Sequence, residues 1–220
     1  MPEAAAAPQA ASGEVRYFEQ LRQQLVWVPA RVGKSTLLAP DHASRMLLAK
    51  SAAMRAKLSE VGLSYMDVYG IINAETSWIP RRGASKNGTP NLGIAQFEPA
   101  TAKALGIRDA DDPVEAVHAA ALHMKEAAQW SRERLARLKL GKAEREEKLR
   151  EGVSVYYNLS TKRRNEWNGL NSDDLPVETQ RHIMNTRLGA QEAAMLEAQL
   201  KAAQYGRQRV LTASRETLGG

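Results

Sequence analysis

The 220-residue chain has no cysteine, which excludes disulfides and thiolate-held metal ions. Aromatic residues are scarce too, at 5%, while alanine recurs throughout, a balance that favours packed helices over sheets. No apolar run approaches membrane-spanning length, so no transmembrane segment is expected. The opening "MPEAAAAPQAASGE" has neither the basic start nor the apolar centre of a secretory signal, and no export address is visible.

What is present is a moderate excess of positive charge, +6 at neutral pH. It favours contact with anionic polymers such as nucleic acid, anionic lipid or acidic cell-wall glycan, without choosing among them. No groove-reading motif supports a specific nucleic-acid partner. Hydrophobic residues at 43% and charged residues at 25% are near globular averages, so the chain should build one mainly α core with extensions.

Along the chain, residues 1–13 read as a disordered Ala/Pro-rich tail. Residues 14–62 read as an N-terminal helical extension. In it Val15, Phe18, Leu21 and Leu25 keep helical spacing until Pro29 ends the helix, and a loop follows. That loop contains "VGKST", the tail of a phosphate-binding pattern whose first glycine would have to stand at Val28; a simple turn is the expectation. Asp41 is a candidate N-cap and Gly62 a candidate stop for the next helix.

The central stretch, 63–189, opens with Ser64 and Asp67 spaced as a capping box for a helix running through "YMDVYGIINAET". Pro99 starts a short helix closed by Gly106, and Asp111 or Asp112 with Pro113 starts a longer one. The charged run after Trp130 reads as a solvated face broken at Gly141. Pro176 opens a last helix, of which 190–220 form a C-terminal helical tail with an apolar stripe.

One residue stands out against this patterning. Val68, Ile71, Ile72 and Glu75 lie three or four positions apart, so the carboxyl group shares the apolar stripe of its helix. It must point into the core or into a cleft cut in it, where desolvation favours the protonated form that a general acid needs. The competing expectation is a solvated helix-end glutamate paired with Arg81 or Arg82. His118 and His123, five apart, fall on different helix faces, so no metal site is expected. Trp78 and Trp167 are open to either sugar stacking or packing.

The words around Glu75 carry a resemblance. "INAETSW", "NLGIAQFEPATAKALGI", "DPVEAVHAAALHM", "VYYNLS" and "LPVETQRHIMNTRL" occur in the order and rough spacing found in soluble lytic transglycosylases, relatives of goose-type lysozyme. The likeness spans about Ser64 to Leu188 and implies a lysozyme-like α domain at 63–189. The family's Glu-Ser pair corresponds to Glu75-Thr76, its Gly-Leu-Met-Gln to Gly93-Ile94-Ala95-Gln96, and its Ala-Tyr-Asn segment to Tyr156-Tyr157-Asn158. Ala95, Glu98 and Ser160 depart from the pattern, and His182 stands where the family usually has tyrosine.

The resemblance implies cleavage of peptidoglycan glycan strands between N-acetylmuramic acid and N-acetylglucosamine, closing a 1,6-anhydro ring without metal or cofactor. By the same analogy Glu75 is the acid and then the base. Thr76 and Gln96 hold acetamido or hydroxyl groups, Tyr157 orients Glu75, and Asn158 braces the Tyr157 backbone or meets substrate. Two other outcomes stay open: a hydrolytic lysozyme using Glu98, Asp109 or Asp111 as a second carboxylate, and a wall-binding virion or secretion-system component that does not cut. The absence of a visible leader favours a virion-carried enzyme that opens periplasmic murein during phage genome entry, or delivery by a secretion or lysis machine. Other particle proteins could dock on the terminal helices.

Overall fold

The computed structural model describes residues 7–85 and 88–218, with side chains described over 13–85 and 88–203. It is mainly helical. In order, the elements are α1 (Ala7–Gln24), β1 (Trp27–Val32), β2 (Ser35–Pro40), α2 (His42–Arg55), a 3-10 turn at Leu58–Val61, α3 (Tyr65–Thr76), β3 (Gly83–Ala84), β4 (Pro90–Asn91), α4 (Pro99–Ala104), α5 (Pro113–Leu135), α6 (Lys142–Asn158), α7 (Thr161–Arg164), a 3-10 turn at Ser172–Asp174, and α8 (Val177–Leu218). No described helix is long and apolar enough to cross a membrane.

The helix starts are set by local hydrogen bonds. Asp41 caps α2 by accepting from the Ser44 N–H, and Asp112 caps α5 with Pro113 in its first turn. Ser64 and Asp67 form both halves of a capping box on α3. Two of these caps also tie elements together: Asp67 receives the Arg150 guanidinium from α6 at 2.8 Å, and Asp112 receives Arg22 from α1.

The core gathers around α3, whose Val68, Tyr69, Ile71 and Ile72 are fully buried, between α2, α5 and α8. Where α3 crosses α8 the two backbones nearly touch. A Cβ added at Gly70 would stand 2.3 Å from the Thr186 carbonyl oxygen, and one at Gly189 would stand 2.9 Å from the Gly70 Cα. Only glycine permits that approach, and it brings the middle of α3 against the first third of α8. On the other side α5 contributes Ala116, Ala120, Ala121, Ala127 and Ala128, small side chains that let its neighbours pack close.

Four expectations are corrected. First, α1 begins at Ala7, inside the stretch read as disordered, and stops at Gln24; residues 1–6 lie outside the described chain. Second, the expected loop is an antiparallel hairpin pairing Pro29 with Leu38, and Gly33 and Lys34 of "VGKST" are its turn, with Gly33 in the left-handed region. Pro29 is tolerated because a two-stranded ribbon consists of edges. Third, α2 ends at Arg55, and Gly62 instead closes the 3-10 turn that follows it. Fourth, the boundaries at 63 and 189 are not breaks in packing: Phe18 and Leu21 of α1, and Ala193 and Leu196 of α8, share one buried cluster with α3.

Candidate active site

The site is built where α3 stops. Ser77 and Trp78 both adopt positive φ, 54° and 64°, and turn the chain back on itself. Trp78 is fully buried, its ring centroid 4.9 Å from that of Tyr69 and its Nε1–H directed at the Tyr69 carbonyl. The returning chain brings Arg81, whose guanidinium donates to the carbonyls of Thr76 at 2.7 Å and Glu75 at 3.1 Å. These are among the carbonyls a helix end leaves without partners. Arg81 thus meets the main chain of Glu75; its carboxylate is engaged elsewhere.

The segment after β4 then folds over the same helix end. The Thr76 hydroxyl donates to the Ile94 carbonyl at 2.8 Å, and Thr76 is fully buried. The expectation that Thr76 contacts sugar is therefore corrected, since its hydroxyl is spent inside the protein. Gln96, at φ 52°, spends both amide protons on the carbonyls of Gly93 and Arg81, each at 2.8 Å. Only its Oε1 is left, as an acceptor, and Gly83 gives that atom room: a Cβ there would lie 2.5 Å from it.

From α6 comes Tyr157. Its hydroxyl donates to the Ala95 carbonyl at 3.2 Å, not to Glu75 as the resemblance implied. Burial and the nearby charge of Glu75 push the phenol well above its ordinary range, so it stays a neutral donor. Asn158 is exposed, and its Oδ1 accepts from the Thr179 hydroxyl at 2.8 Å, which ties α6 to α8 instead of bracing Tyr157. Its amide protons make no hydrogen bond among those described.

These pieces surround a cleft of about 510 Å³ lined by Glu75, Gln96, Phe97, Glu98, His123, Tyr157, Asn158 and Arg164, among others. The Arg164 guanidinium lies 3.7 Å over the Tyr156 ring at one end. Ala95 is fully buried, whereas Glu98 and Ser160, the other two departures from the pattern, do line the cleft. Glu98 accepts from the Ser85 hydroxyl at 2.7 Å. Asp109 and Asp111 are not among the lining residues, and Asp111 pairs with Arg82. Trp78 and Trp167 are both buried, so neither can stack on a sugar. Among the described residues no group of His, Asp and Glu side chains is gathered as around a metal ion.

Glu75 sits on the floor of this cleft with its side chain 16% exposed. Its Oε1 is 2.8 Å from Nε2 of His182, a buried residue on α8. The second oxygen takes no protein hydrogen bond among those described. His182 is the functional neighbour that sequence reasoning missed. Its one signal was that it stood where the resembling sequences carry another hydrogen-bond donor.

No curated protein matches the chain. The family model of the transglycosylase SLT domain matches residues 52–174, more than half of the chain, including Glu75, Gln96, Tyr157 and Asn158. The chain belongs to the SLT transglycosylase family and is a peptidoglycan lytic transglycosylase.

Proposed function

We propose that the chain cleaves the β-1,4 bond between N-acetylmuramic acid and N-acetylglucosamine in peptidoglycan and closes a 1,6-anhydro ring on the muramic acid, with Glu75 carrying the proton both ways. The observation that supports this most is the partly buried carboxyl group of Glu75 on the cleft lining, one oxygen held by His182 and the other without a hydrogen bond among those described.

In the first step Glu75 gives its proton to the glycosidic oxygen as the bond from that oxygen to C1 breaks. Positive charge grows at C1, and the neighbouring acetamido group of the same sugar can share it. In the second step the Glu75 carboxylate takes the proton of the C6 hydroxyl while O6 bonds to C1. The acid is restored and no water is consumed. Closure within one ring gains from proximity, which offsets the lack of a second carboxylate held opposite the first. In this reading the Gln96 Oε1 and the Asn158 amide, both of residues that line the cleft, hold hydroxyl or acetamido groups of the glycan.

Hydrolysis is the competing outcome, because Glu98 also lines the cleft and could serve a water. Mass spectrometry of digested murein separates the two, since anhydro ends are lighter by one water. Glu75→Gln keeps the side-chain shape and removes the proton, and should cost about 10²–10⁴-fold in rate. Hydrated products alone would refute ring closure; a Glu75→Gln variant that clears murein at the parent rate would refute the acid.

A further inference from the structure

We propose that His182 is a positioning residue for Glu75, acting as a neutral N–H donor that fixes one carboxylate oxygen and is prevented by its own surroundings from taking the proton. The proposal rests on the reading of Glu75 as proton donor. His182 lies on α8, beyond the residues matched by the family model.

The geometry carries the argument. Nε2 faces Oε1 of Glu75 at 2.8 Å, while the other ring nitrogen, Nδ1, is buried and has no hydrogen-bond partner. An imidazole against a carboxyl group has three proton arrangements. It can be neutral with the proton on Nε2, neutral with the proton on Nδ1, or doubly protonated. The last two place an N–H at Nδ1, a buried donor with nothing to receive it. Leaving such a donor unpaired disfavours those arrangements by roughly tenfold to a hundredfold. A bare Nδ1 lone pair is the cheaper vacancy, so the ring stays neutral and donates through Nε2.

The ring is packed at the crossing, and its contact with Glu75 needs Nε2 on that side. It stacks on Tyr157 with centroids 6.3 Å apart and planes within 17°, and its backbone is held in α8, where its carbonyl accepts from the Thr186 hydroxyl at 2.9 Å. The titratable and charged groups around the pair leave Nδ1 alone. They are the Tyr157 phenol from α6, the Arg81 guanidinium on the helix-end carbonyls, and, on α8 itself, the exposed Glu178 and Arg181. None of them gives Nδ1 a hydrogen-bond partner.

Two consequences follow for the reaction. Glu75 keeps its proton for the substrate, because the neighbouring base has no favourable form in which to accept it. When the proton leaves, the Nε2–H contact becomes charge-assisted and strengthens, so His182 favours the ionised product of the first step over its starting form.

The test uses the full chain in a murein-solubilisation assay across pH, with Glu75→Gln as reference. His182→Phe keeps a flat ring beside Tyr157 and removes the donor. It should lower kcat roughly 10- to 100-fold, the range for a lost hydrogen bond to a charged group, and move the alkaline limb of the kcat profile to higher pH, because an acid without that donor holds its proton longer. His182→Gln supplies an N–H donor that does not titrate and should restore kcat to within about threefold, with the parental limb. In the parent, long-range proton–nitrogen NMR of His182 should show Nε2 protonated and Nδ1 bare at neutral pH.

His182→Phe with an unchanged profile and only a lower Tm would overturn the proposal, as would His182→Gln as impaired as His182→Phe, or Nδ1 protonated at neutral pH. An active Glu75→Gln variant would instead remove the acid reading itself. An inactive one beside parental His182 variants removes only the role of the histidine.

Discussion

Replacing Gly70 by alanine tests whether the crossing of α3 and α8 sets the catalytic pair. The added methyl would stand 2.3 Å from the Thr186 carbonyl oxygen, a backbone atom that cannot rotate aside, whereas ordinary contact begins at 3.4 Å. The helices must therefore part by about 1 Å. Overpacking of this kind costs about 1–3 kcal/mol, and for a chain of this length each kcal/mol lowers Tm by about 2–4 °C. A fall of about 2–12 °C is expected by calorimetry. The same movement stretches the 2.8 Å contact between Glu75 and His182 beyond hydrogen-bond reach, and misplacement by 1 Å near a reacting group costs roughly 10²-fold in rate. Gly189→Ala meets its nearest atom at 2.8 Å and should have the same effects in weaker form. A Gly70→Ala protein with the parental Tm and kcat, or one less affected than Gly189→Ala, would show that the crossing does not control the site.

Thr76→Val removes the only donor described for the Ile94 carbonyl and should cost about 1–3 kcal/mol by denaturant titration, while KM for murein stays unchanged because the hydroxyl faces no ligand. His118 gives a pH signature in stability. Burial is the main cause lowering its pKa from 6.5 to about 4, so the folded chain keeps it neutral while the unfolded chain takes up the proton. Its contribution is complete above about pH 6.5 and is lost as pH falls toward about 4, for a total of about 3 kcal/mol. His118→Gln should flatten that part of the stability curve. An unchanged slope between those limits would show that the acid sensitivity arises elsewhere.

What could be read in the sequence was what local chemistry decides. Asp41, Ser64 with Asp67, Asp112 with Pro113, and Pro176 mark helix starts through bonds or ring constraints spanning a few residues, and the structure has helices starting there. The unusual place of Glu75 was also legible, because helical periodicity alone puts it on the apolar stripe. Thr76 shows where this ends: a hydroxyl beside the acid looks available until the segment carrying Ile94 folds over it. Tyr157 lines the cleft but donates its hydrogen bond to the Ala95 carbonyl, 62 residues away in the chain. His182 is 107 residues from Glu75, and only the close crossing of α3 and α8 brings them together. The hairpin was missed for a different reason: Pro29 is a strong stop for a helix and a permissible residue in an isolated ribbon, and the sequence does not say which role applies.

The reversal at Ser77 and Trp78 bears on the order of assembly. Pro80 bars α3 from continuing past Ile79, yet nothing local demands a turn two residues earlier in a conformation that costs each non-glycine residue about 1–2 kcal/mol. The compensation is remote: the indole must already be lodged against Tyr69. Until it docks, the last turn of α3 has no fixed termination, and the carboxyl group has no settled direction. Catalytic competence should therefore be acquired late in folding, after the helices themselves have formed.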